Sequence, residues 1–178
     1  MKEIINSPSE ISTSWIENLA LEELNMEESG VVHMYDHLSP AHFLEESSIQ
    51  FMDGLRDRFE IYVAKFNQYR SGKGNGAGIK VFKISNTAND FMLFRNSLRL
   101  VFSRKANDLI TIGFLSNGKD LYAANLPDGA AQFQESLHEI RAHVGAFNSI
   151  TWRFGGELVE TDALVKHYLS EFIRNSAS

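Results

Sequence analysis

The stretch FMLFRNSLRLVFSRKANDLITIGFL, residues 91–115, decides the fold. Its first fifteen residues alternate. Met92, Phe94, Leu98, Leu100 and Phe102 share one parity. Arg95, Ser97, Arg99, Ser103 and Lys105 share the other, with Val101 the apolar exception. Successive side chains of a strand point to opposite faces, so this pattern reads as a half-buried strand. It is one long strand, or a hairpin if Asn96-Ser97 turns. Residues 108–115 follow a short polar gap as a second apolar run. So short a connection makes the pair antiparallel.

Strand signals continue on both sides. Residues 79–85 form a short apolar run carrying Lys80 and Lys83, closed by the turn cluster Asn86-Thr87-Ala88-Asn89-Asp90. Downstream, Asn117-Gly118 is a hairpin signal, 121–126 a weaker strand and Pro127-Asp128-Gly129 a loop. Phe133, Leu137, Ile140, Val144 and Phe147 are spaced 4, 3, 4, 3, which predicts an amphipathic helix over about 131–147. Ile150, Trp152 and Phe154 alternate up to Gly155-Gly156, a strand. Thr161 is the expected cap of a last helix over 161–174, with Leu164, Tyr168 and Phe172 on one face.

Upstream lies a long helix. Ser39-Pro40 is a start signal, and 41–70 contains no proline and only Gly54. Met52, Leu55, Phe59, Tyr62, Phe66 and Tyr69 are spaced 3, 4, 3, 4, 3 along one face. Such a stripe packs on a sheet, or joins two copies as a homodimer. Ser7-Pro8-Ser9-Glu10 has the form of a capping box, and Ile11, Trp15, Ile16 and Leu19 follow at helical spacing. The expected architecture is α+β: a domain over 39–178 with a mostly antiparallel sheet of four to five strands. About three helices cover one face of it, at 40–70, 131–147 and 161–174. Residues 1–38 are a peripheral acidic arm or short helix.

Charge is uneven. Residues 1–64 hold 3 Lys/Arg against 13 Asp/Glu, a net of −10. Residues 65–105 hold 9 against 1, a net of +8. Residues 106–178 hold 5 against 9, a net of −4. Arg70, Lys73, Lys80, Lys83, Arg95, Arg99, Lys105 and Arg153 are the candidate binding residues. Arg95, Arg99 and Lys105 are expected on one sheet face, with the phenylalanines on the other. The acidic first third is a candidate cover for that face.

Several chemistries are excluded. The chain has no cysteine, which removes disulfides, thiolate metal sites and a cysteine nucleophile. No apolar run approaches the ~18 residues of a membrane helix, and the first residues lack a signal-peptide core. A soluble cytoplasmic protein without a membrane partner or cofactor is expected.

The glycine stretch YRSGKGNGAGIKVFK, residues 69–83, follows a helix and precedes a strand. Dinucleotide and P-loop glycines need the reverse order. It reads as a connector, with glycine at a helix C-terminus. His33 and His37 are four apart, a spacing a metal uses on a helix, and His42 follows; these three are the candidate metal ligands. His138 and His143 are five apart, so the zinc-protease pattern is missed. No Gly-x-Ser-x-Gly occurs. Arg95-Asn96-Ser97-Leu98-Arg99 has the R-x-x-x-R spacing of PilZ domains, but their companion motif departs at its serine position, Asp108–Gly113 being the nearest approach.

The expected function is therefore non-enzymatic: a soluble binding, adaptor or chaperone-like protein acting through protein contacts. Its element order is loosely similar to that of small acidic secretion chaperones, a likeness of shape. Two alternatives stand. One is nucleic-acid or anionic-ligand binding around Arg95 and Arg99. The other is a metal-dependent enzyme near His33 and His37.

Overall fold

The computed structural model describes residues 11, 13–30, 40–74, 76–116 and 137–177. The chain divides into two compact units, 1–38 and 39–178. The first contains helix α1, Ser14–Ser29, which buries none of its residues and ends on Gly30 in the left-handed conformation, φ 67°.

The second unit opens with helix α2, Pro40–Arg70. Seven strands follow: β1 Lys80–Lys83, β2 Phe91–Arg95, β3 Leu98–Ala106, β4 Leu109–Ser116, β5 His138–Val144, β6 Ile150–Phe154 and β7 Glu157–Leu158. Helix α3, Thr161–Ser176, closes it. The strands form one sheet in sequence order, each pair antiparallel.

Among the described residues the sheet thus has seven strands, which corrects the expected four or five. Three differences account for it. First, 91–105 is a hairpin: Arg95 pairs with Leu98 around Asn96-Ser97, and Asn96 takes φ 55°. Second, the helix expected over 131–147 is strand β5 where the chain is described. The spacing of Leu137, Ile140, Val144 and Phe147 suited a helix. Yet only Ile140 of β5 is buried, and backbone pairing with β4 and β6 decides the conformation. The short β7 is added by Gly155-Gly156, whose φ of 56° and 85° suit a tight hairpin. The expected turn at Asn117-Gly118 and strand at 121–126 lie outside the described residues.

The inner face of the sheet carries Phe91, Leu93, Leu100, Phe102, Ile110, Ile112, Ile140 and Trp152. Met52, Leu55, Phe59 and Val63 of α2, and Leu164, Val165, Tyr168 and Phe172 of α3, pack on it. The rings of Phe91 and Phe102 stack at 4.7 Å, and Phe59 lies 5.0 Å from Phe102. Each such side chain removed from water contributes about 1.5–3 kcal/mol. The first part of the α2 stripe is therefore committed to the chain's own core. Helix α3 is capped by Glu160, not Thr161: its carboxylate accepts from the amides of Asp162 and Ala163.

Candidate functional site

The hairpin at Asn96-Ser97 redistributes the basic residues. Reading straight through the turn puts Met92 and Phe94 with Leu98 and Leu100. The register instead sets Phe91, Leu93 and Arg95 beside Phe102, Leu100 and Leu98 on the inner face. Arg95 and Arg99 therefore project from opposite faces, which corrects the expectation that they share one.

The outer face, which neither α2 nor α3 covers, is built from the alternate positions. Lys80, Phe94, Arg99 and Leu115 form one cross-strand row over β1 to β4. Phe82, Met92, Val101 and Gly113 form the next. Phenylalanines thus share a face with Lys80 and Arg99, contrary to the sequence expectation. Phe82 is 41% exposed and Leu115 40%. Phe94, Met92, Val101 and Arg99 are half-buried. A side chain at Gly113 would meet the terminal methyl of Leu137, which would have to turn aside. Among the described residues, Arg99 Nε is sealed from solvent without a hydrogen-bond partner. An antiparallel sheet with one free face ordinarily shows polar residues there.

The remaining basic candidates are dispersed. Arg153 is on the outer face, opposite Arg141 and far across the sheet from the Lys80 row. Lys105 lies at the bulge between Arg104 and Ala106, exposed. Arg104, which the sequence reading passed over, donates through Nη1 to Asn107 at 2.8 Å and Ser48 at 3.3 Å. Its amide donates to Asp90 Oδ1 at 2.8 Å. Lys83 lines a cleft of about 370 Å³ with Asp53, Arg56 and Asp90, where both signs of charge are present.

Arg70, Lys73 and Arg95 belong to the other end of β2. Arg70 is the last residue of α2, and Lys73 lies exposed in the turn beyond. Gly72, φ 75°, ends the helix in the left-handed region. Asn67 then fixes the return of the chain to the sheet: its carboxamide donates to Ile79 O at 2.8 Å and accepts from Ile79 N at 2.9 Å. Gly78 passes so near that a Cβ would sit 3.1 Å from Asn67 Oδ1. The glycines thus serve the chain path. Arg95 is 2% exposed. Its Nε donates to Ala77 O at 2.9 Å, its Nη1 approaches Ser176 Oγ at 3.5 Å, and its guanidinium lies 5.5 Å from the Phe66 ring centre.

The histidines do not converge among the described residues. His33 and His37 lie outside them. His42 is on α2, 4.0 Å from Glu46. His138 meets the Tyr168 hydroxyl through Nδ1 at 2.5 Å, at the edge of the core. Burial pushes the Tyr168 phenol up to about 12. No group of three metal-ligating side chains occurs among the described residues. No helix there is long and apolar enough to cross a membrane.

No family model, no curated protein and no solved structure matches the chain.

Proposed function

We propose that this chain is a non-catalytic binding module that receives an acidic, apolar segment of a partner protein on the outer face of β1 to β4. One observation carries the reading. The face that should be polar bears Phe82, Met92, Phe94, Val101 and Leu115, with Lys80 and Arg99 among them. Aromatic side chains, Met and Arg are the residue types enriched where proteins meet. The two cations favour a segment carrying Asp or Glu beside its apolar residues.

The test is a selection of peptides displayed on phage against the full chain, followed by binding to variants. Peptides rich in Asp/Glu with Leu, Phe or Trp should emerge. Arg99→Glu or Phe82→Ser should weaken them about tenfold or more. Peptides that bind both variants as well as the parent would overturn the reading. Phe94, one strand from both Lys80 and Arg99, also offers a ring for base stacking. Salt-sensitive binding of single-stranded RNA or DNA, lost in Arg99→Glu while no peptide binds, would replace the protein partner with a nucleic acid.

A further inference from the structure

Two guanidinium groups converge on one glycine. A Cβ built on Gly76 would lie 2.6 Å from Arg70 Nη2 and 3.5 Å from Arg95 Nη2. Glycine at this position lets Arg70 approach the stretch of backbone that Arg95 also lies against. A guanidinium carries its positive charge across the physiological range. Among the described residues, neither side chain forms an ion pair. Burial, and after it the nearby charge of Arg70, lowers the Arg95 pKa from its ordinary value.

A cation this well buried ordinarily sits against an anion, because the lost hydration has to be replaced. Arg95 has a backbone carbonyl, a hydroxyl and the Phe66 ring instead. These hold it in place: Nε and Nη1 are engaged from β1's approach and from α3, and Nη2 is the arm directed at Gly76. Arg70, on the exposed last turn of α2, completes the pair from the solvent side.

We propose that Arg70 and Arg95, meeting at Gly76, form a binding site for a tetrahedral phosphate-class oxyanion. One such anion accepts hydrogen bonds from both Nη2 groups at once and relieves their repulsion. Charge-assisted bonds of this kind are about twice as strong as neutral ones. The site needs no helix N-terminus and no phosphate-loop motif. It lies on the inner side of the sheet, so it stands or falls independently of partner binding on the outer face.

The experiment is calorimetric titration of the full chain with inorganic phosphate, with sodium chloride at matched ionic strength as the control. Saturable binding of one phosphate per chain is expected, with no response to chloride. Arg70→Gln removes an exposed side chain and should leave the fold intact by circular dichroism, while weakening phosphate binding about tenfold or more. Gly76→Ala, which crowds Arg70 Nη2, should weaken it likewise. Adenosine 5′-monophosphate identifies the carrier: tighter binding than inorganic phosphate assigns the site to a phosphate ester, and equal binding to phosphate itself. A response no larger than that to chloride, or unchanged affinity in Arg70→Gln, would overturn the proposal.

Discussion

Asn67 and Ile79 exchange two hydrogen bonds across the glycine-rich turn, one to the carbonyl and one from the amide of Ile79. The side chain imitates a strand neighbour and closes the turn at its sheet end. Asn67→Ala leaves both groups of a buried residue without that partner. A loss of about 1–3 kcal/mol is expected in urea unfolding. A variant as stable as the parent would mean that water satisfies Ile79.

The facing of β2 gives a sharp contrast between adjacent residues. Leu93 is fully buried on the inner face, and Phe94 is half-buried on the outer. Leu93→Ala should cost about 2–5 kcal/mol, the usual range for a leucine removed from a core. Phe94→Ser should cost much less. The opposite ranking in thermal unfolding would restore the reading of 91–105 as a single uninterrupted strand.

Tyr168 predicts an alkaline dependence. Its phenol is raised from 10.0 to about 12, so the fold favours the protonated form. That stabilisation is complete below pH 10 and fades between about 10 and 12. Denaturant unfolding from pH 9 to 12 should show a steeper decline for the parent than for Tyr168→Phe. Parallel slopes would show a phenol that ionises as freely in the fold as in the unfolded chain.

Phe147 sits at the tip of the β5–β6 connection with φ 56° and 103% relative exposure. An aromatic residue is strained there and gains no burial in return. Phe147→Gly should therefore raise stability by about 1 kcal/mol, read as a higher Tm. A lower Tm would show that the ring has a contact in solution, and a second copy of the chain is then the first partner to test by light scattering.

The two long amphipathic patterns were readable because many residues repeat the same signal. Met52, Leu55 and Phe59 mark α2 redundantly, as Leu164, Tyr168 and Phe172 mark α3. The strand at Ile150, Trp152 and Phe154 was readable for the same reason. The turn at Asn96 rests on two residues, and polar residues at positions 95–97 fit a strand's alternation as well as a hairpin. That local ambiguity reverses the facing of everything before it, and it put Arg95 on the wrong face. In β5, inner Ile140 and half-buried Ala142 are a faint period of two, weaker than the helical spacing around them. The meeting of Arg70 with Arg95 had no sequence signal. It depends on how far Asn67 draws the glycine segment back across the end of α2.

The sheet is a meander in strict order, bracketed by α2 before it and α3 after it. Strand pairing is therefore local along the chain, which favours fast folding. Contacts between the two helices, including Arg58 Nε to Asp162 Oδ1 at 3.0 Å, join residues 104 positions apart. During synthesis the meander and α2 reach the outside of the ribosome with part of the apolar face still open, because α3 is made afterwards. Until then, Phe102 lacks its edge-on partner Tyr168. A chain cut before residue 161 would expose an apolar surface that α3 otherwise covers, and would be prone to aggregate.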